Sequence, residues 1–306
     1  MMKIEKVTLI GLGALGVMFG NQLQKTMPKG SFKVVADRNR IDRYLKQGIF
    51  SNHEKCSFDY APSDEDSGLC NLSIFAVKYN GLEDAINSMR HQIGKDTIII
   101  STLNGIKSEE VLGDAFGHEK IVYCVAQGMD PIKSGNSVTY KSMGTLVIGE
   151  KKMNELSERV QLLHHFLNSH GINCEIENDM YRKMWGKFML NVGVNQVVSL
   201  YGGTYAEVQK EGTSMELMKA AMREVILLSE KEGVNLTEMD LEYWLKILST
   251  LNPQGKPSMR QDVEAMRKSE LELFAGIVLE YGEKHGVDTP VNKSIFEGIT
   301  ELEKTY

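Results

Sequence analysis

The stretch that most restricts what this chain can fold into lies near its N-terminus. Val7-Thr-Leu-Ile10 is a short apolar run that feeds directly into Gly11-Leu-Gly-Ala-Leu-Gly16, and Val17 to Lys25 then reads as a helix. Strand, glycine turn and helix in that order, with G-x-G-x-x-G spacing, form the opening of a dinucleotide-binding βαβ unit. Gly11 permits the tight turn, Gly13 lets the backbone approach a pyrophosphate, and Gly16 lets helix and strand pack closely. Leu12, Ala14 and Leu15 complete the loop, and the helix N-terminus offers N–H groups and positive dipole to the anion. The hexapeptide alone is a weak signal; its strand–helix setting makes it a strong one.

Phe32-Lys-Val-Val-Ala36 reads as the second strand, followed by Asp37-Arg38-Asn39-Arg40. Asp37 stands where a dinucleotide fold places the acid that accepts from the ribose 2′-hydroxyl, which favours NAD. Arg38 and Arg40 instead suit a 2′-phosphate and favour NADP. A third role for Asp37 is to cap a helix beginning near Arg40. Further apolar runs at 72–77, 97–101, 121–125 and 145–148 alternate with amphipathic segments at 82–93 and 108–116. That alternation predicts an α/β fold, a Rossmann-type doubly wound, mostly parallel sheet whose ligand sits off the strands' carboxyl ends. Lys78 and Asn104 fall at such ends. Singly they read as a surface lysine and an Asn-Gly turn, and together as residues beside a cofactor.

Strand signals stop after about residue 176. Helical periodicity runs through 180–200, 214–232, 237–251 and 258–284, with capping-box patterns at Thr237-x-x-Asp240 and Ser258-x-x-Gln261. The expected organisation is a dinucleotide-binding domain over 1–177 and an all-helical substrate-binding and dimerisation domain over 178–306, with the site in the cleft between them. Within 180–200, Lys187, Asn191 and Asn195 recur every fourth residue and drift only about 40° per step, so they share one face of a helix otherwise dense in apolar residues. Buried polar groups need partners. The choice is between a structural hydrogen-bond network and a polar substrate. Glu270 falls beside the apolar stripe of its own helical reading, between Met266 and Leu273, Phe274 and Ile277, and should find a cation or donors; Lys187 is a plausible one.

Bulk properties exclude several classes. With 306 residues the chain is long enough for two cores. A net charge of −6 and no basic stripe argue against nucleic acid. No apolar run approaches the roughly 18–20 residues needed to span a bilayer, and no signal-peptide pattern precedes the first strand. A cytoplasmic protein is the expectation. Cys56, Cys70, Cys124 and Cys174 are widely spaced with no C-x-x-C pair, which argues against a metal site or a disulfide framework.

Taken together, the glycine loop, the strand-end Lys78, Leu103-Asn-Gly105, Trp185-Gly-Lys187 with Asn191 and Asn195, and Pro257-Ser-Met-Arg-Gln-Asp262 followed by Glu270 resemble the ketopantoate reductase (2-dehydropantoate 2-reductase) family. The likeness runs from Gly11 to Glu270 in the family's order. It implies reduction of a small-molecule 2-keto acid to pantoate, on the route to pantothenate and coenzyme A, with NADPH as the usual cofactor. Separately, the apolar helical half has surplus surface that a homodimer would bury, and a homodimer is the expectation. Under the resemblance, Lys187 is the general acid, with Glu270 lining the site near lysine and cofactor. Gly11, Gly13 and Gly16 hold the pyrophosphate, with Arg38 and Lys78 also at the cofactor. Asn104 lies between nicotinamide and substrate, and Asn191, Asn195 and Ser258 bind substrate. Two departures stand out: Tyr205 occupies the position of a frequent further substrate asparagine, and Asp37 before Arg38 is a mixed signal for NADPH against NADH. The competing readings are a related two-domain dehydrogenase acting on another keto or hydroxy acid, and a nucleotide-sensing protein without turnover.

Overall fold

The structure is a computed structural model that describes residues 3–152 and 155–306. The chain divides into two compact units, Met1–Met180 and Tyr181–Tyr306.

The first unit opens with β1 (Val7–Ile10), α1 (Ala14–Thr26), β2 (Phe32–Ala36) and α2 (Arg38–Gln47), then three short strands, β3 (Phe50–Ser51), β4 (Glu54–Lys55) and β5 (Tyr60–Pro62). It continues through β6 (Cys70–Phe75), α3 (Leu82–Met89), β7 (Ile93–Ser101) and α4 (Ser108–Phe116). It closes with β8 (Tyr123–Met129), β9 (Ile132–Ser134), β10 (Ser137–Thr139), β11 (Met143–Gly149), α5 (Glu158–Ser169) and β12 (Cys174–Ile176). The principal sheet has the order β5-β2-β1-β6-β7 with every pair parallel.

Parallel strands covered on both faces need apolar side chains in both directions, which explains why these runs do not alternate with polar residues. Leu9, Val34, Ile74 and Ile98 pack on one face with Val17, Met18 and Phe19 of α1 and Leu163 and Leu167 of α5. Their successors Ile10, Val35, Phe75 and Ile99 pack on the other with Leu82, Ile86 and Met89 of α3 and Leu112 of α4. The fold is the expected Rossmann-type one, joined to a helical C-terminal unit.

Apart from one parallel bridge between Ile121 and Ile99 of β7, the runs expected at 121–125 and 145–148 do not extend the parallel sheet. They join β12 in a second sheet, β12-β11-β8, in which β8 is antiparallel to β11. A third sheet, β4-β3-β10-β9, is made of strands of two or three residues and has no counterpart in the sequence reading.

The second unit is built on α6 (Met180–Leu200), followed by α7 (Ala206–Gln209), α8 (Thr213–Lys231), α9 (Glu238–Thr250), α10 (Ser258–Glu264), α11 (Ile277–His285) and α12 (Pro290–Glu303). Trp185, Phe188, Met189, Val192, Val197 and Val198 of α6 are all buried. Burying each such side chain is worth about 1.5–3 kcal/mol relative to exposure. Gly186 and Gly193 share one face of the helix and allow close approach there. A Cβ on Gly193 would lie 2.6 Å from Met222 Cγ of α8, and one on Gly186 2.6 Å from Trp244 Nε1 of α9. That face lies roughly opposite the one carrying Lys187, Asn191 and Asn195.

A buried polar network links α6 to the rest of this unit, through a different residue from the three singled out above. Gln196 Oε1 accepts from the Ala275 N–H at 2.9 Å, while its Nε2 donates to Asn292 Oδ1 at 3.2 Å and to the Val192 carbonyl at 2.8 Å. Asn292 Nδ2 in turn donates to Glu224 Oε2 at 2.7 Å. Glu224 also accepts from the N–H groups of Val291 and Asn292, closing the first turn of α12.

The continuous helix expected over 258–284 is broken. α10 ends at Glu264, Met266 takes a left-handed φ of +50°, and helical structure resumes as a π-helical turn, Glu272–Gly276, that leads into α11. The bent segment is held by the Arg267–Asp262 ion pair at 3.0 Å and by Glu303, which accepts from the Ser269 N–H at 2.9 Å. Ser258 is not an N-cap either. It is the first helical residue, Pro257 occupies the cap position, and no side-chain cap bond forms. The Thr237–Asp240 box does form, with Asp240 accepting from the Thr237 N–H at 2.8 Å.

Glu224 makes a sharp test of this unit's packing. Glu224→Ala removes a buried carboxylate and strands three donors, so unfolding stability should fall by at least about 3 kcal/mol. Urea denaturation measures it, and a loss below about 1 kcal/mol would contradict the network's role.

Candidate active site

In the first unit, three adjacent parallel strands end at one edge, and the sequence-nominated residues follow them. β1 runs straight into Gly11, whose φ of +98° strains any other residue. A Cβ at Gly11 would lie 2.7 Å from the Ala76 carbonyl carbon and oxygen, just past β6. At Gly16 a Cβ would stand 1.8 Å from the Gly11 carbonyl oxygen. The loop therefore exists only with glycine at these positions, and it presents bare backbone. α1 begins without a side-chain cap and with no acid in its first turn, so its positive pole is left for another anion. These features fit a pyrophosphate.

Lys78 is exposed and follows β6 just ahead of a short 3₁₀ turn, Tyr79–Gly81. Asn104 follows β7, partly exposed, before Gly105 at φ +89°. The order β1-β6-β7 thus brings Gly11–Gly16, Lys78 and Asn104 to one carboxyl edge. Lys133 was not singled out by sequence. From β9 it donates to the Leu12 carbonyl inside the glycine loop, bracing the loop and adding a cation beside it. Only the third sheet, invisible to periodicity, makes that contact possible.

Beyond β2, Asp37 caps α2, its Oδ1 accepting from the Arg40 N–H at 2.8 Å. Arg40 Nε lies 3.2 Å from Asp37 Oδ2. Arg38 forks across two acids, with Nε on Asp64 at 2.9 Å and Nη2 on Glu65. The guanidinium hydrogen bond holds the Asp64 carboxyl below its usual range.

In the second unit, Lys187 on α6 is half-buried, while Asn191 and Asn195 are buried at 8% and 7% exposure. Asn191 Nδ2 has no hydrogen-bond partner among the described residues. An unsatisfied buried amide costs about 1–3 kcal/mol. Ser258 is exposed at the start of α10. Glu270 precedes the π-helical turn, its carbonyl accepting from the Leu273 and Phe274 N–H groups, so Met266 is not its helical neighbour as expected. Single π turns inside helices recur at functional sites.

Among the described residues no group of three or more His, Cys, Asp or Glu is placed to hold a metal. The four cysteines are free and buried, and burial pushes the Cys56 thiol up to about 11 and Cys174 up to about 12. Thiols held protonated in this way make poor nucleophiles.

Comparison with known proteins bears on this arrangement. The family profile described as "Ketopantoate reductase PanE/ApbA" matches residues 7–152, and "Ketopantoate reductase PanE/ApbA C terminal" matches residues 179–303. The chain belongs to the ketopantoate reductase family. A 2-dehydropantoate 2-reductase of Aquifex aeolicus is 25% identical over 305 residues, covering 98% of this chain and 97% of that relative. Among solved structures, D-mandelate dehydrogenase with NADH and anilino(oxo)acetate is similar with a TM-score of 0.86 at 20% identity, covering 98% of each chain. A dimeric ketopantoate reductase from Staphylococcus aureus is similar with a TM-score of 0.78 at 19% identity, covering 98% of this chain and 99% of that one. Membership of the ketopantoate reductase family makes the chain an oxidoreductase that uses a nicotinamide cofactor.

The glycine loop supplies the prediction here. Gly16→Ala places a Cβ where the Gly11 carbonyl now stands, so the loop must open and dinucleotide affinity should fall at least about tenfold. Fluorescence titration with a reduced nicotinamide dinucleotide measures it; an unchanged dissociation constant would sever the loop from cofactor binding.

Proposed function

We propose that this chain is a 2-dehydropantoate 2-reductase, reducing the 2-keto group of ketopantoate to (R)-pantoate in pantothenate and coenzyme A biosynthesis. The observation that carries the reading is the Lys187–Asn191–Asn195 face of α6, with a buried amide nitrogen, Asn191 Nδ2, that no described residue satisfies. Structural needs do not explain it, because Gln196, Asn292 and Glu224 carry the hydrogen-bond network of the same helix. A small polar substrate would supply the missing acceptor.

A reduced nicotinamide dinucleotide, when bound, supplies the hydride. The chain's own residues do the rest. Gly11–Gly16 hold the pyrophosphate through backbone N–H groups, with Lys78 adding charge at the cofactor and Asn104 serving the nicotinamide and the substrate. Hydride addition to C2 makes an alkoxide, and Lys187 gives that oxygen a proton, becoming neutral, after stabilising the growing negative charge. Asn191, Asn195 and Ser258 orient the carboxylate and hydroxyl of the substrate with neutral donors and acceptors. Glu270 lines the site near the lysine and the cofactor, and solvent restores the proton that Lys187 gave up. By the resemblance the cofactor is NADPH.

One observation favours a second substrate. Tyr205, where relatives often carry an asparagine, packs its ring 3.0 Å from where a Cβ on Gly255 would stand, and burial raises its phenol above the usual range. A ring there replaces an amide by an apolar aromatic face, which suits a less polar, aryl-bearing 2-keto acid, and the structural relative named D-mandelate dehydrogenase is in keeping with that. We also place the protein in the cytoplasm as a homodimer, as its biosynthetic role and the S. aureus relative support. Leu227, Met239 and Tyr243 on α8 and α9 are exposed apolar candidates for the contact.

Turnover tests the assignment. Nicotinamide absorbance should fall when ketopantoate is added, faster than with phenyl-substituted or branched 2-keto acids. Failure to oxidise either cofactor with ketopantoate would sink the substrate, and failure with every keto acid would favour a sensor. Lys187→Ala should lower kcat by roughly 10²–10⁴-fold while leaving cofactor affinity within about twofold. A surviving kcat would remove Lys187 as the acid.

A further inference from the structure

The end of β2 decides which dinucleotide this chain takes. β5 lies beside β2 in parallel register, with Ala36 opposite Pro62, and the Ser63 N–H donates to the Ala36 carbonyl at 2.9 Å. The sheet itself therefore sets two stretches side by side at the carboxyl edge, Asp37–Arg40 after β2 and Ser63–Asp66 after β5. The second stretch is acidic: Asp64, Glu65 and Asp66 in succession.

Arg38 is the cation best placed by sequence to meet a 2′-phosphate, and it is engaged elsewhere. Its guanidinium spans Asp64 and Glu65 at once. Arg40 is turned back onto Asp37. These pairs are exposed and contribute little to stability. Their effect is on where positive charge is available. Drawing Arg38 onto a phosphate would leave two carboxylates unpaired beside a group carrying roughly −1.5 to −2 charges, with Asp37 as a further like charge.

Asp37 itself remains a competent reader of hydroxyls. Capping α2 uses one of its oxygens, and a carboxylate has about four lone-pair sites. Its side chain is about half exposed, and the second oxygen, which Arg40 Nε meets at 3.2 Å, keeps a further lone pair that can accept from a ribose hydroxyl.

We infer that this chain selects a dinucleotide with a free ribose 2′-hydroxyl, NADH, over its 2′-phosphorylated counterpart, with Asp37 as the reader and Asp64 and Glu65 withholding Arg38 from phosphate. The inference rests on the reading of Gly11–Gly16 as the dinucleotide loop. It departs from the NADPH that the family resemblance implies.

Equilibrium binding of the full-length protein, followed by fluorescence and without keto acid, tests it apart from activity. NADH should bind at least about tenfold more tightly than NADPH. Equal affinity, or tighter NADPH, overturns the inference while leaving the loop's role intact. Binding of neither overturns the underlying reading and the inference with it. Two variants then assign the residues. Asp64→Ser/Glu65→Ser releases Arg38 and should narrow the NADH preference about tenfold through better NADPH binding. Asp37→Asn keeps a capping side chain but loses the charge, and it too should narrow the preference, with helix content by circular dichroism unchanged. An unaltered NADH-to-NADPH ratio in both variants would overturn the assignment to these residues.

Discussion

A buried amide nitrogen with no hydrogen-bond partner among the described residues is the constraint on which the reading of this protein turns. Asn191 sits on a helix that is apolar almost all round, and its Nδ2 pays a desolvation penalty that no described residue offsets. Four residues on either side stand Lys187 and Asn195. Folding stability alone would replace such a row with leucine. One turn further round the same helix, Gln196 shows what a purely structural polar residue looks like. Both ends of its amide are bonded, to Ala275 and Val192, and through Asn292 the chain of contacts reaches Glu224. The contrast between a satisfied glutamine and an asparagine with an unpartnered nitrogen, five positions apart, supports the proposal that Asn191 serves a substrate rather than the scaffold.

The first unit shows the complementary design. Close approach matters there more than polar side chains. Gly11 and Gly16 remove every atom between β1, α1 and the chain leaving β6, so that backbone N–H groups and a helix pole are the only chemistry offered. Side chains enter at the rim: Lys78 and Asn104 after β6 and β7, Lys133 from the small third sheet, and the acid–arginine lattice after β2 and β5. Charge at that rim is paired within the chain, with Arg38 on Asp64 and Glu65 and Arg40 on Asp37.

Much of this was legible in the residues because its physical signals are local. The glycine spacing, the doubly apolar strands and the four-residue spacing along α6 each follow from one periodicity, and α6 begins and ends where its sequence pattern does. What escaped depends on distant partners. No glycine or proline marks the break after Glu264. Ala265 to Leu271 has ordinary helical composition, and the bend exists because Glu303, Asp262 and Arg267 hold it. The break removes Met266 as a helical neighbour of Glu270, while Leu273 and Phe274 keep the positions that the pattern assigns them. The third sheet consists of strands too short to show alternation, and Lys133 was hidden with it. The two roles proposed for Asp37 are compatible, since its cap uses only part of the carboxylate. The commitment of Arg38 depends on acids from a neighbouring strand 26 or more residues away.

The central claim, that this fold moves a hydride onto a small keto acid held by α6, is tested most directly by following the hydride. The wild-type protein is incubated with ketopantoate and a reduced nicotinamide dinucleotide carrying deuterium at the transferable position, and the product is analysed by mass spectrometry. The account predicts pantoate bearing one deuterium at C2. Recovery of unlabelled ketopantoate with the cofactor still reduced, under conditions where the cofactor is bound, would contradict it.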